Sequence, residues 1–359
     1  MEKVKSDIKE YFFVEEVSKD LFVSTYSWKF GAARGLFGGQ VISQTLAAAI
    51  LTVEPEFSVH SMHSYFLLAG KYDTPLYFHV KRLRDGRSFA SRSVLAKQDG
   101  NTIFSLTCSF QKPESRPANI QYKMPDVYPP EYKHYEIYDH KNHEPHGSIF
   151  LRPDLNVSIF DKYKFESRTA THKDPEICKV LEAVPDSYGS NGELKSRHGD
   201  ETGPPYNLRW FRINENLEKV SKQVHFLAIA FMSDFWAPCN VSVPYFWGYN
   251  EGKLELSMMT TLDNSVWFHS DLRSDEWLLF ESESPTVVGG RQLIKGRFYT
   301  SSGRYVASFT QENVYRTKVL KPDARSRLEY SHILPKLVEH GNIDKKVDSK
   351  NDFKKLPKL

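Results

Sequence analysis

The sequence predicts an α+β protein made of two similar units, each a long antiparallel sheet around one buried helix. Three observations support this prediction. Two helical stretches, residues 40–50 and 224–232, are apolar or small on most sides, which is typical of a fully buried helix. Each is followed by strand-like segments rich in aromatic and β-branched residues. The two series of segments also match one another at an offset of 202 to 203 residues in the sequence.

In the first series, two connections contain Asp-Gly, at Arg84-Asp-Gly-Arg87 and Gln98-Asp-Gly-Asn101. This dipeptide marks tight hairpins, so we predict an antiparallel meander. Its strands are residues 60–68, 76–85, 87–98 and 101–111. Residues 12–30, which precede the first helix, alternate weakly between aromatic and polar positions, as strands do.

The second series predicts strands at residues 254–262, 266–269, 276–284, 292–300 and 305–314. Between the first two of these, Asp263-Asn264-Ser265 has the composition of a turn. Gly303 is expected to close a hairpin in the way that Gly100 does in the first series.

The two series align as an internal repeat. Ser64-Tyr-Phe66 resembles Val266-Trp-Phe268 at an offset of 202 residues, and Gly100 matches Gly303 at an offset of 203. Matching positions at offsets that differ by a single residue indicate a duplicated unit. Two such units could join their sheets edge to edge, which would remove exposed strand edges.

The chain is therefore predicted to have four parts. Residues 1–113 form the first unit, and residues 205–320 form the second unit. Residues 114–204, rich in proline and charge, are a long connection with some local structure, and part of it is expected to be flexible. Residues 321–359 are predicted to form a C-terminal helix, at 324–340, and a lysine-rich tail.

Composition excludes several classes of function. The 359 residues include 48 Lys and Arg against 45 Asp and Glu, a net charge of +3, so no general field for nucleic acid exists. Cys108, Cys178 and Cys239 have no paired spacing, which argues against disulfides and a zinc site and fits a reducing compartment. No secretory signal and no membrane-spanning run is present, so a soluble intracellular protein is expected.

Three polar residues stand out in segments that otherwise look buried: Asp234, Thr261 and Gln311. Buried polar groups need partners, so the three form either a structural network or a site. Asp234 ends the second apolar helix, where a carboxylate is disfavoured unless hydrogen bonds compensate for the helix dipole. It is either an exposed helix-ending residue or a tuned carboxylate in a cleft. Thr261 could be an ordinary strand former.

Covalent catalysis has no clear candidate, since no Gly-x-Ser-x-Gly elbow occurs and no histidine pair suggests a metal. His60, His63 and His269 are expected to be core or surface residues of strands. Gly38 and Gly39, just before the first helix, either leave free amide groups for an anion or only let the helix enter a tight core. No metal or cofactor is expected.

Several ordered motifs resemble one family. They are Phe37-Gly-Gly-Gln-Val-Ile-Ser-Gln44, His60-Ser-Met-His-Ser-Tyr-Phe66, Arg84-Asp-Gly-Arg-Ser-Phe89, Asp263-Asn-Ser-Val-Trp-Phe-His269 and Ala307-Ser-Phe-Thr-Gln-Glu312. Together they resemble the type II acyl-CoA thioesterases, a TesB-like family that includes peroxisomal members and has a double hotdog fold. The resemblance covers both units and skips the connection. Asn264 stands where relatives often carry His.

The resemblance implies hydrolysis of a fatty acyl-CoA to a free fatty acid and CoA. The family's water-activating Asp, Thr or Ser, and Gln correspond to Asp234, Thr261 and Gln311. Asp234 would act as general base, the other two would orient the water, and amides near Gly38 and Gly39 would stabilise the oxyanion. The alternatives are a hotdog hydratase or dehydratase, or a non-catalytic acyl-CoA binding protein.

The last three residues, Pro357-Lys358-Leu359, resemble the Ser-Lys-Leu peroxisomal address. A peroxisomal location is therefore expected, with the import receptor as a partner, and a cytoplasmic location is the alternative. Because two hotdog units in one chain resemble a covalent dimer, we expect the chain to form homodimers or homotetramers.

Overall fold

The computed structural model describes residues 11–27, 35–114, 118–131, 165–175, 177, 187–188, 194–195, 205–235 and 253–322. The first unit contains one helix and six strands: β1 (Val14–Ser18), β2 (Leu21–Ser24), α1 (Gly38–Ile50), β3 (Ser58–Phe66), β4 (Tyr77–Asp85), β5 (Phe89–Gln98) and β6 (Asn101–Gln111). Three short strands follow: β7 (Phe165–Thr169), β8 (Ser187–Tyr188) and β9 (Leu194–Lys195). The second unit contains β10 (Tyr206–Ile213), α2 (Lys222–Ser233), β11 (Leu254–Phe268), β12 (Leu278–Val288), β13 (Arg291–Thr300) and β14 (Tyr305–Val319).

Twelve of these strands form one antiparallel sheet, in the order β1-β2-β4-β5-β6-β3-β11-β14-β13-β12-β10-β7. The two units meet at its centre, where Tyr65 of β3 pairs with Asp263 of β11 and Ser61 pairs with Trp267. Inward residues of both units share one hydrophobic core with the two helices. The predicted edge-to-edge junction and the double hotdog fold are therefore confirmed.

The two helices contact each other closely. A Cβ atom added at Gly39 would collide with the carbonyl oxygen of Phe231, so only glycine permits this approach. As predicted, α1 is buried along nearly its whole length, from Gly39 to Ala49. The start of α1 is thereby held against the end of α2.

Two predictions about the strands are wrong. The first unit is not a simple meander, because β3 pairs with β6 and not with β4. This order leaves the other edge of β3 available for β11 at the junction of the units. No turn interrupts β11, which runs unbroken through Asp263-Asn264-Ser265. Asp263 instead accepts a hydrogen bond from the backbone N–H of Glu312 across the strand, at 2.9 Å.

A β-bulge takes the place of the predicted turn. The pairing of β11 with β14 shifts between Thr261 and Asp263, and that of β3 with β6 shifts between Val59 and Ser61. The two bulges are 202 residues apart, so the internal repeat extends to the irregularities of the ladder. Since side chains alternate along a regular strand, the extra residue puts Thr261 and Asn264 on the same, inward face.

Parts of the 114–204 segment pack against the second unit. Val127 lies in a small hydrophobic cluster with Leu208 and Trp210, and the indole N–H of Trp210 donates to the carbonyl of Tyr128 at 3.0 Å. Strand β7 extends the sheet by pairing with β10. The predicted C-terminal helix and the tail ending in Leu359 lie outside the described residues.

The Asp-Gly hairpin of the first unit forms as predicted, with positive φ at Asp99 (48°) and Gly100 (77°). Within the described ranges, no helix is long and apolar enough to cross a membrane.

Candidate active site

Asp234 is the residue at which α2 ends, and only 6% of it is exposed. The negative end of its own helix opposes a carboxylate there. The start of α1 compensates, because the backbone N–H of Gly39 donates to the carboxyl group. A Cβ atom at Gly38 would collide with Asp234 Oδ2, so the glycine lets the carboxyl reach the positive end of α1.

Thr261 and Gln311 complete a triangle with Asp234. The hydroxyl of Thr261 donates to Asp234 Oδ1 at 2.7 Å, and Gln311 Nε2 donates to the same oxygen at 3.0 Å. Gln311 Nε2 also lies 3.0 Å from Thr261 Oγ1. Residues from one helix end and two neighbouring strands thus converge on one carboxylate oxygen.

Two asparagines fix which end of the Gln311 carboxamide faces Asp234. Asn264 Nδ2 donates to Gln311 Oε1 at 3.2 Å, while Gln311 Nε2 donates to Asn313 Oδ1 at 2.8 Å. Asn264 Nδ2 also lies 3.2 Å from the hydroxyl of Ser233, the residue before Asp234. The amide nitrogen of Gln311 is therefore held toward the carboxylate, and its oxygen is turned away.

Burial raises the pKa of Asp234 to about 7, against hydrogen bonds from Thr261, Gln311 and Gly39 that lower it. A carboxylate with this pKa can accept a proton near neutral pH and give it back within one reaction cycle. Such a shift, in a group with specific partners, is typical of a functional carboxylate.

The structure brings all three predicted catalytic residues together. It places Gly38 and Gly39 beside them, but the N–H of Gly39 is donated to Asp234 and is not left free for an anion. Pro357, Lys358 and Leu359 lie outside the described residues.

Sequence reasoning missed Asn264 and Asn313 as members of this network. The sequence predicts that Asn264 lies in a turn, and Asn313 is not among the predicted site residues. The internal repeat contained the signal, because the matching residues of the first unit, Met62 and Phe110, are apolar.

Other reactive side chains do not join the network. The predicted core or surface histidines pair with serine hydroxyls of neighbouring strands, His60 with Ser109 and His269 with Ser308, each at 2.8 Å. Burial raises the pKa of the Cys108 thiol to about 12, so it is not a thiolate at neutral pH. Over the described residues, no group of three His, Cys, Asp or Glu side chains could hold a metal ion.

Comparisons with known proteins identify the family. Family models match residues 26–111, as the acyl-CoA thioesterase N-terminal domain, and residues 166–315, as the acyl-CoA thioesterase C-terminal domain. Acyl-coenzyme A thioesterase 8 of Homo sapiens is 33% identical over 306 residues, which is 85% of this chain and 87% of that protein.

Peroxisomal acyl-coenzyme A thioester hydrolase 1 of Saccharomyces cerevisiae is 26% identical, over 78% of this chain and 85% of that protein. The crystal structure of acyl-CoA thioesterase II TesB2 from Mycobacterium marinum has a TM-score of 0.63 and 28% identity, covering 87% of this chain and 99% of that one. The chain therefore belongs to the type II acyl-CoA thioesterases, a family of thioester hydrolases with the double hotdog fold.

Proposed function

We propose that the chain hydrolyses a fatty acyl-CoA to a free fatty acid and CoA by direct attack of a water molecule activated by Asp234. The observation that supports this best is the convergence of Thr261 and Gln311 on the buried carboxylate, whose pKa is raised to about 7. Family membership supplies the substrate class.

Each residue has a separate part in this mechanism. The water donates one hydrogen bond to Asp234 and the other to the oxygen of Thr261. It replaces Asp234 as the acceptor for one N–H of Gln311, whose other N–H stays on Asn313. One lone pair of the water oxygen is then left to attack the thioester carbon. Thr261 can accept from water because its own hydroxyl proton is given to Asp234. Holding the water in this geometry removes much of the entropic cost of attack.

Asp234 accepts the water proton and later gives it to the leaving group. As the C–O bond forms, the water proton moves to the carboxylate, and the carbonyl oxygen becomes an oxyanion. The C–S bond then breaks, and the proton leaves Asp234 for the CoA thiolate. The N–H of Gly38, at the positive start of α1, is the proposed donor to the oxyanion, since the N–H of Gly39 is given to Asp234.

Release of free thiol from acyl-CoAs of graded chain length, followed with a thiol reagent, tests this function. We expect thiol and fatty acid in equal amounts, and one labelled oxygen in the fatty acid when the reaction runs in ¹⁸O water. The same series also gives the chain-length preference. A parallel assay with a 2-enoyl-CoA detects hydration, the reaction of the competing hotdog enzymes.

Each outcome selects one function. Thiol release without hydration supports the hydrolase, and hydration without thiol release supports a hydratase. Binding of acyl-CoA with neither reaction supports a non-catalytic binding protein, and it would contradict the proposal.

We also propose that the chain acts in the peroxisome, brought there by an import receptor that reads Pro357-Lys358-Leu359. Support comes from the likeness of this tripeptide to Ser-Lys-Leu and from the name of the yeast relative. A fluorescent protein fused to the N-terminus should be peroxisomal and should become cytoplasmic when Leu359 is removed. Unchanged localisation after the deletion would contradict the proposal that this tripeptide is the import signal.

We propose, finally, that the chain forms homodimers or homotetramers. A double hotdog chain resembles two hotdog subunits already joined, and this resemblance is the support for further assembly. Light scattering on the purified protein should give two or four times the chain mass of 41.5 kDa. A mass of one chain at all concentrations would contradict the proposal.

A further inference from the structure

The polar network of the active site extends one residue pair further into the second unit. Gln292 of β13 pairs across the ladder with Asn313 of β14, and Asn313 pairs with Thr261 on its other side. Asn313 Oδ1 accepts the hydrogen bond from Gln311 Nε2. Gln292 and Asn313 are both fully buried, at 0% exposed.

Some polar atoms of these two amides have no hydrogen-bond partner within the described ranges. Neither atom of the Gln292 carboxamide has a hydrogen-bond partner among the described residues, and the same holds for Asn313 Nδ2. Buried polar atoms of native proteins are nearly always paired, and a set of neighbouring unpaired atoms commonly marks an internal water site. Two donor groups and one acceptor group, on adjacent strands, match the bonding capacity of water.

The first unit shows that the fold does not require polar residues at the positions of Gln292 and Asn313. Its equivalent cross-strand pair is Ala90 with Phe110, in the same register, and both are buried. An apolar pair therefore packs well at this place in the hotdog unit. The two amides occur only in the unit that carries Asp234, and they are in contact with its network.

We propose that Gln292 and Asn313 hold internal water beside Gln311, that this water replaces the molecule consumed in a turnover, and that solvent refills the site after the products have left. The supply role rests on the proposed hydrolase function, because hydrolysis consumes one water per thioester. Water held beside Asn313 would lie next to the catalytic triangle, because Asn313 Oδ1 accepts from Gln311 Nε2 and Asn313 pairs with Thr261 across the ladder.

Crystallography of the wild-type protein, with and without a non-hydrolysable thioether analogue of acyl-CoA, tests the site directly. Ordered water within hydrogen-bond distance of the Gln292 carboxamide and Asn313 Nδ2 is expected in both structures. Absence of such water would overturn the proposal, and so would the acyl group of the analogue occupying this place. This readout does not depend on activity, so failure of the hydrolase assay leaves it standing.

Gln292→Met, which keeps the length of the side chain and removes its polar atoms, tests the supply role. We expect kcat to fall about tenfold with the KM for acyl-CoA unchanged, and the water to be lost from the crystal structure. The alternative is that the Gln292 carboxamide is buried without bound water and only destabilises the fold. In that case Gln292→Met should raise Tm by about 2 °C and leave kcat unchanged, and this result would overturn the proposal.

The matched control is Gln223→Met. Gln223, near the start of α2, also has a buried carbonyl oxygen without a partner in the part of the chain that the structure describes. Its amide nitrogen, however, donates to the carbonyl of Phe57. We expect its kcat to be unchanged. An equal loss of kcat in both variants would show that removing any such amide slows the enzyme, and it would contradict a special role for Gln292.

Discussion

The inward faces of the two units have the same backbone and opposite chemistry. Strands β3 and β6 of the first unit and strands β11 and β14 of the second share one register, including the bulge. At four equivalent positions the first unit is apolar, with Val59, Met62, Cys108 and Phe110, and the second is polar, with Thr261, Asn264, Gln311 and Asn313. The proposed catalytic function of the second unit therefore depends on which side chains occupy a backbone that both units share.

The helix ends differ in the same way. After α2, Asp234 is buried and faces the start of α1. After α1, the corresponding position is held by hydrogen bonds from Arg92 to Thr52. Arg92 Nε donates to the Thr52 hydroxyl at 2.8 Å, and Arg92 Nη2 donates to the Thr52 carbonyl at 2.9 Å. Arg92 is 1% exposed and reaches Asp85, at 2.6 Å, on the surface. One helix end carries the proposed general base, and the other is closed by a buried cation.

Replacing Thr261 by the equivalent residue of the first unit should remove most of the enzyme's activity. Thr261→Val installs the residue found at position 59 and removes the hydroxyl that orients Asp234 and water. We expect kcat/KM to fall about 100- to 1,000-fold, the usual cost of one well-placed polar group in an active site. Thr260→Val, on an exposed position of the same strand, is the control and should keep full activity. Equal activity of the two variants would contradict a role for Thr261.

The pH dependence of kcat/KM should report the raised pKa of Asp234, which has no equivalent in the first unit. The reactive form is the carboxylate, so activity should be level above pH 7 and fall about tenfold per pH unit below it. At pH 5 the loss should be about 100-fold. A profile that stays level down to pH 5 would show that a normal, exposed carboxylate or another group controls the reaction.

Arg92→Met should destabilise the first unit without changing the rate of the reaction. Removing the guanidinium leaves the hydroxyl and carbonyl of Thr52 without their donors, and we expect a loss of about 2–3 kcal/mol in the free energy of unfolding. Urea denaturation measures this loss, and kcat per folded molecule should be unchanged. Arg82→Met breaks the solvent-exposed pair with Asp20 and should cost less than about 1 kcal/mol. A large loss of kcat in Arg92→Met would mean that the units are coupled in catalysis.

The smallest expected effect concerns Asn264, which contacts Gln311 and not the reacting atoms. Asn264→Ala frees the oxygen end of the Gln311 carboxamide, so the amide can turn over. We expect kcat to fall about tenfold with KM unchanged, less than for Thr261→Val, because Asn313 still holds the nitrogen end. A neutron crystal structure of the variant, which locates the amide hydrogens, should show mixed orientations of Gln311. Unchanged kcat would mean that Asn313 alone orients the amide.

Much of this arrangement could be read from the sequence. The buried helices, the repeat offset and the Asp-Gly hairpin predict the two units and their junction, because burial and turn formation leave local patterns. Asp234, Thr261 and Gln311 followed from polarity in apolar segments together with the family resemblance. The place of β3 beside β6 has no local signal, since the pairing order of strands is set by contacts between distant segments.

The misplaced turn at Asp263-Asn264-Ser265 has a similar cause. Asp, Asn and Ser favour turns when their side chains bond the local backbone. Here Asp263 bonds Glu312 on the next strand, and Asn264 is buried against Gln311, so tertiary contacts replace the local ones. The continuity of β11 could have been found from the repeat, because the first unit has strand residues at the positions equivalent to 263–265.

The account depends most on Asp234 as the general base of a single site in the second unit. The direct measurement is thioester hydrolysis by Asp234→Asn, together with the Kd of the thioether analogue of acyl-CoA for the same variant. Asparagine keeps the shape of the side chain and cannot accept the water proton. We predict that kcat falls about 1,000-fold or more while the Kd stays within about threefold of the wild-type value. A variant that keeps wild-type kcat would contradict the assignment of Asp234.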